Sequence, residues 1–393
     1  MRLGTKFGAK PLASVESMRR LLVLLSAVVA VDTMFYTALA PLLPHFASVY
    51  GLGKGGAGAL AGAYAVGVLA ASVPGGLVAS RFGAKRAVLI GVAATAFATL
   101  AFGLAGSVWL LAVARLAQGV GSAFSWAGAL AWLVASSPPG RRGAMIGAAM
   151  GSAVFGALLG PALGAAATVV GVRAAFVAVS GAGLVLCAFL AATPGARTQP
   201  QRLSALRRID APLVAALWLV VLPALLFGVL AVLVPLKLHA NGWSGAAIGA
   251  LFFVTAAIET AWNPLLGHLS DVRGRLFPLR FALIGSIAVS LALAWADSSA
   301  LIALLVVLAG MAYGTFYTPG MALVSDGAER AGIAQGLAFG VMNLAWASGA
   351  AIGPAAGGAL ADSAGDVLPY VLLAGICLAT LAYSQPRLRP RSA

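Results

Sequence analysis

Three ionisable side chains stand in stretches of sequence that are otherwise apolar: Asp32, Arg115 and Glu259. A carboxylate surrounded by hydrocarbon must take up a proton or find a cation. Asp32 falls near the middle of its apolar run, which suits a proton site, a cationic-substrate site, or both in competition. A salt bridge to Arg115 is the structural alternative. Arg115 would lie roughly 10 Å inside hydrocarbon at 1.5 Å of rise per residue, so it must be paired or face water. It is a functional candidate by default, with a structural role on backbone carbonyls as the alternative. Glu259 has Thr255 and Asn263 one turn either side, a polar stripe expected to face a cavity. It either moves protons or holds two parts of the chain together.

Other chemistries find no residues to carry them. Cys187 and Cys377 sit inside apolar runs, and they and three scattered His make no metal-ligand spacing. No phosphate-binding Gly-Lys-Ser string and no nucleophile, acid and base constellation is present. Neither a cofactor nor a metal is expected, and the chain does not read as an enzyme.

The elements that must position the three charges are membrane helices. Of 393 residues 61% are hydrophobic and only 9% charged, too little polar surface to face water all round. Spans of about 20 apolar residues can be drawn at 21–43, 57–79, 87–105, 108–134, 143–168, 174–192, 211–235, 246–266, 279–296, 300–323, 332–361 and 367–384. The net charge of +15 would raise nucleic acid as a partner, but its distribution argues against one. All but four of the 25 Lys and Arg fall in alternate loops and the two ends of the chain, the four being Lys54, Arg115, Arg173 and Lys237. Positive-inside asymmetry then places both termini in the cytoplasm of an inner-membrane protein, with an uncleaved first span.

The longest polar interruption, 193–210, divides the chain. A leader at 1–20 precedes a six-helix bundle at 21–192; a second bundle at 211–384 precedes a tail at 385–393. Pro44 with Pro235, Gly76 with Gly267, and Gly160-Pro161 with Gly353-Pro354 recur at nearly one spacing, as a duplicated unit would. Two parallel six-span halves are a transporter architecture that binds substrate near the midplane.

Several strings resemble motifs of the major facilitator family. Gly76-Leu-Val-Ala-Ser80-Arg81-Phe-Gly83-Ala-Lys85-Arg86 is similar to the family's loop between the second and third helices, with Ser80 where an Asp is usual. Gly267-His-Leu-Ser-Asp271-Val-Arg273-Gly274-Arg275 resembles its repeat after the eighth. The resemblance implies a cytoplasmic gate built on Gly76, Arg81, Gly83, Arg86, Gly267, Asp271, Arg273 and Arg275. Arg115-Leu-Ala-Gln118-Gly119-Val-Gly121-Ser122 resembles the fourth-helix motif of proton-coupled members. Gly156 to Gly164, containing Gly160-Pro161, resembles the fifth-helix motif of antiporters, and Gly349 to Gly358, containing Gly353-Pro354, repeats it. A Gly face packs tightly, and a Pro frees a backbone hydrogen bond and bends the helix.

The first span, with Asp32, Tyr36, Pro41 and Pro44, looks like that of drug:proton antiporters and vesicular amine transporters. Asn343 stands where the amine transporters have an acid. Candidates for lining a substrate cavity are Tyr36, Gln118, Ser122, Trp126, Asn263, Tyr313, Tyr317, Asn343 and Trp346. The resemblance implies an all-α fold of twelve helices in two pseudo-symmetric bundles, working by alternating access as a monomer in the bilayer. The expected function is proton-coupled efflux of a small lipophilic or cationic molecule. Metabolite uptake or facilitated diffusion, and a non-transporting sensor, are the alternatives.

Overall fold

A computed structural model describes residues 15–137, 142–195, 207–274, 276–333 and 335–384. Backbone polar groups in hydrocarbon have no water to bond, so an apolar chain of this kind satisfies them within helices. In the first half these are α1 (Val15–Thr37), α2 (Leu43–Tyr50), α3 (Lys54–Arg81), α4 (Ala84–Gly103), α5 (Val108–Ser136), α6 (Arg142–Val170) and α7 (Val172–Ala192). In the second they are α8 (Ala211–Ala240), α9 (Gly245–Arg273), α10 (Leu276–Ala294), α11 (Ser299–Gly314), α12 (Tyr317–Arg330), α13 (Gln335–Ala364) and α14 (Val367–Ser384). Eleven helical stretches among the described residues are long and apolar enough to cross a membrane, and α14 is a shorter apolar helix. Side chains such as Phe97, Val113 and Ile284, each at least half exposed, give the outer surface its apolar character.

Two spans are broken where the sequence predicts continuous helices. The first, expected at 21–43, leaves the α-helix after Thr37, makes a 3-10 turn over Ala40–Leu42 and continues as α2 to Tyr50. The tenth, expected at 300–323, breaks between α11 and α12 at Thr315 and Phe316. Both breaks have one cause. A proline has no N–H and its ring crowds the carbonyl four residues earlier; Pro41 looks back on Thr37, and Pro319 on Thr315. Leu42 N–H turns to Leu39 O at 2.9 Å instead, and Phe316 N–H to Tyr313 O at 3.4 Å.

Pro161 and Pro354, expected to bend their helices, lie inside α6 and α13, which continue through them. Their strings provide close packing. A Cβ at Gly156 would fall 2.1 Å from Ala30 O on α1, and one at Gly353 would fall 2.5 Å from Leu225 O on α8. Thr37 Oγ1, which is 3.1 Å from Thr33 O of its own helix, also lies 3.4 Å from Ala157 O, the carbonyl that Pro161 leaves unpaired. Thus α6 lies on α1 and α13 on α8, the same pairing in each half.

The halves meet through α3 on α13 and α6 on α9. A Cβ at Gly58 would be 2.1 Å from Pro354 O, and one at Gly358 would be 2.2 Å from Lys54 O, so backbones touch where α3 begins. At that point the Asp362 carboxylate of α13 accepts Lys54 N–H at 2.8 Å and Gly55 N–H at 2.6 Å. An anion on a helix N-terminus satisfies donors that the helix itself cannot. Lys54 Nζ adds an ion pair with Asp366. On the opposite side the seal is partial: Gly249 packs on Pro161 and Ala165, whereas Gly147 and Gly151 of the same α6 face have no neighbour within reach of a Cβ.

This end is therefore a seal of Gly faces closed by one carboxylate. Gly358→Val and Asp362→Ala are each expected to loosen it. A cysteine placed at Ala351, which is 7% exposed, should then react faster with a membrane-impermeant maleimide than in the otherwise unchanged chain.

Candidate functional site

Asp32 lies on α1, one turn before the break, and is 4% exposed. Its side chain points into the first bundle. Oδ2 accepts three hydrogen bonds: from Ser122 Oγ at 2.7 Å, Trp126 Nε1 at 2.8 Å and Tyr64 OH at 3.0 Å. Ser122 and Trp126 are one turn apart on α5, and Tyr64 faces them from α3 because Gly119 lets these two helices touch. A Cβ at Gly119 would sit 1.8 Å from Tyr64 O. The second oxygen, Oδ1, and the hydroxyl of Thr95 on α4 are both buried without a protein partner.

Arg115 is 2% exposed and is not ion-paired with Asp32. Its guanidinium donates to Phe35 O at 3.0 Å, Tyr36 O at 3.3 Å and Gln118 Oε1 at 3.1 Å. Phe35 and Tyr36 close α1, where carbonyls lose their helical donors; Arg115 caps the broken helix. Gln118 is fixed in turn by donating to Thr99 Oγ1 at 3.0 Å. Tyr64 stands between the two charges, its hydroxyl on Asp32 and its ring 5.0 Å from the Arg115 guanidinium, a distance at which a ring face attracts a cation.

Glu259, on α9, is half-buried against the other break: a Cβ at Gly314 would meet its Oε1 at 2.4 Å. Of the expected polar stripe, Thr255 is buried against Gly310 of α11, while Asn263 is partly exposed. Trp262 Nε1 donates to Thr315 Oγ1 at 3.3 Å, beside the same break.

The cavity candidates separate into groups. Ser122, Trp126 and Gln118 belong to the two charge clusters. Tyr313 is fully buried and shares a hydrogen bond of 3.0 Å with Ser290, inside the second bundle. Tyr36, Tyr317, Asn343 and Trp346 are partly exposed. Tyr36 touches Tyr64 at 5.2 Å and Trp346 of the other half at 5.0 Å, and Tyr317 stacks on Phe227 at 6.4 Å between ring centres. A cavity of about 480 Å³ opens elsewhere, between α1 and α6, where Ser26, Ala30 and Met34 face Gly151, Ser152 and Phe155. None of the candidates lines it. Its signal in the sequence is the row of small residues on both helices, which reads first as packing.

At the other end of the bundles, Gly83 (φ 99°) and Gly274 (φ 80°) turn the chain from α3 to α4 and from α9 to α10, a conformation that favours glycine. Gly76 of α3 has open space beside it. Arg81, Arg86 and Arg273 are exposed, and the Arg273 guanidinium lies 5.0 Å from the Phe277 ring. Ser80 turns back on its own helix, donating to Leu77 O at 3.0 Å. The expected partnership of Asp271 falls outside the described side chains, as does Arg275. Gly267 is within α9.

Two six-helix halves that close on each other at one end, with charged groups held at mid-helix in each, define a polytopic membrane transporter. The chain belongs to the Major Facilitator Superfamily, whose sequence profile matches residues 25–349. It is similar to the Multidrug resistance protein MdtG of Citrobacter koseri, with 31% identity over 156 residues. That stretch is 39% of this chain and 37% of MdtG, so the chain aligns with just over a third of that relative's length. In structure it resembles a bacterial homolog of the human lysosomal transporter Spinster in an inward-facing, occupied conformation, with a TM-score of 0.75 at 16% identity over 97% of this chain and 98% of that one. It also resembles the xylose transporter XylE from E. coli in a partially occluded inward-open conformation, with a TM-score of 0.73 at 14% identity over 96% and 99%. At these identities the likeness concerns the fold.

If Arg115 caps α1, its loss costs stability whatever is transported. Arg115→Gln is expected to destabilise the protein by roughly 2–4 kcal/mol, since hydrogen bonds from a charged group contribute about 1.5–3 kcal/mol each. Thermal unfolding in detergent checks this.

Proposed function

We propose that the protein is a proton-coupled exporter that exchanges protons for a small lipophilic or cationic organic molecule by alternating access. The observation that carries this reading is the environment of Asp32. Three neutral donors hold one oxygen of a buried carboxylate, and among the described residues no cation stands within ion-pair distance. Its charge is therefore left to be balanced by a mobile proton or by a cationic ligand, and competition between the two couples their fluxes.

Three further features support the reading. Glu259 gives the second half its own membrane-embedded carboxylate, next to a helix break. The cavity between α1 and α6 is lined by small and apolar groups with two serine hydroxyls, suited to a lipophilic guest. The relative whose name includes multidrug resistance aligns with this chain at 31% identity over 156 residues, which supports the export reading. Arg115 is committed to α1 carbonyls, which leaves an anion-uptake reading without its expected ligand. The Arg-rich end of the bundles is assigned to the cytoplasm, following the positive-inside rule. Gly76, Gly83, Gly267 and Gly274, with the neighbouring Arg residues, form the gate on that side.

Proteoliposomes with an imposed pH gradient test the reading. Gradient-driven flux of a cationic dye is expected in the parent and at background in Asp32→Asn, with a smaller loss in Glu259→Gln. Dye flux indifferent to the gradient and to both substitutions would leave a facilitator with two structural acids.

A further inference from the structure

The three donors on Asp32 all reach Oδ2, so they leave open where a proton would sit. Oδ2 already accepts all three. On its other side Asp32 lines a cavity of about 20 Å³ between α1, α4, α5 and α7. Thr95 and Ser125 supply the only other polar side chains on its wall, and Val28, Val92 and Leu186 are among the apolar ones. Asp32 and Thr95 are 4% and 5% exposed, and Oδ1 and Thr95 Oγ1 each lack a protein partner.

A cavity needs about 10–15 Å³ for one water, and the water needs two to four polar neighbours. Apolar cavities stay dry, whereas two orphaned buried oxygens are unfavourable until they are satisfied. A hard metal cation calls for about six or more oxygens, and the side chains here offer three. We propose that this cavity is a hydration site whose single water bridges Asp32 Oδ1 and Thr95 Oγ1, and that Oδ1 is the atom that takes the transported proton. The proposal rests on Asp32 being the proton carrier.

One water serves both charge states by turning. Against the carboxylate it donates to Oδ1 and accepts from Thr95. As hydronium it breaks one of its O–H bonds, the proton forms a new bond at Oδ1, and the neutral water left behind accepts from that O–H. No group on Oδ2 has to move. The charged and titratable groups around Asp32 are Tyr64 and, behind its ring, Arg115; α4 and α7 present Thr95 and Gly183 with no charge. The sequence gives this site away only as Thr95 on a run of small apolar residues, a polar residue in a membrane helix with nothing beside it to suggest a partner.

Infrared difference spectra of the full-length protein in lipid, titrated in pH and recorded in H2(16)O and H2(18)O, test the proposal. The parent should show a protonated-carboxyl C=O band absent from Asp32→Asn, and an O–H stretch that responds to (18)O and titrates with it. In the near-isosteric Thr95→Val the water band should be lost and the C=O band should move to higher wavenumber; Thr95→Ser should restore both. An Asp32 band that titrates without an (18)O-sensitive companion, or with one that persists in Thr95→Val or is replaced on adding Na+, overturns the hydration site and leaves the proton reading standing. Absence of any Asp32 band across the titration overturns both.

Discussion

A carboxylate in a hydrocarbon layer is stable only where donors have been gathered for it, and Asp32 sets that demand on the whole first half. Desolvating an ionised carboxylate without partners would cost far more than a domain's net stability. Meeting the demand takes side chains from two other helices, Tyr64 from α3 and the Ser122 and Trp126 pair from α5. They reach one oxygen because the helices approach until backbones touch. Gly67 and Gly119 make that approach possible, a Cβ at Gly67 lying 2.1 Å from Leu116 O, and Gly121 does the same for α5 on α4, where a Cβ would lie 2.3 Å from Thr95 Oγ1. The glycine content of the chain and its buried charge thus have a common explanation. Without a hydrophobic force between helices in lipid, small residues and hydrogen bonds hold the bundle.

The same economy of side chains explains where the chain is irregular. Helix breaks at membrane depth are tolerated where protein groups satisfy the freed backbone. After Thr37 the guanidinium of Arg115 does so, through the Phe35 and Tyr36 carbonyls. The break beside Gly314 is packed by Glu259 and by the Trp262 to Thr315 hydrogen bond. An ionisable residue from a different helix of the same half accompanies each break, Arg115 in one half and Glu259 in the other. This echoes the internal duplication without repeating its chemistry.

Much of this was legible in the sequence, and the rest was not for identifiable reasons. Spans follow from hydropathy because length and apolarity are what a bilayer selects. The repeated Gly-Pro strings identify two halves because close packing constrains glycine. The breaks at Thr37 and Thr315 escape a hydropathy reading, which sees apolar residues on both sides; Pro41 and Pro319 carried the signal, four residues downstream. Asp32 and Arg115 were visible as charges out of place, yet their separation was not, since pairing depends on which way each helix is rotated. Tyr64 and Thr95 could not be singled out, because one hydroxyl in an apolar helix has no pattern. Asp362 gains its meaning from α3 beginning next to it in space.

The placement of Tyr36 ties the charged cluster to the contact between halves. It stands one turn after Asp32, its carbonyl held by Arg115 and its ring between Tyr64 and Trp346. Tyr64 carries the Asp32 hydrogen bond on one end and meets Tyr36 and the Arg115 guanidinium along its ring. A change in what Asp32 asks of the Tyr64 hydroxyl would therefore act on a side chain already wedged against the partner of Trp346. Interfaces of this kind, aromatic rings packed across Gly-lined helices, have discrete arrangements and do not deform smoothly. Side-chain contact by itself is only a path, and energy flows along it when the two charge states of Asp32 favour different packings of Tyr36 on Trp346. In the arrangement seen here, with the α3 and α13 end sealed, the ring of Tyr36 touches both the Asp32 cluster and the opposite half.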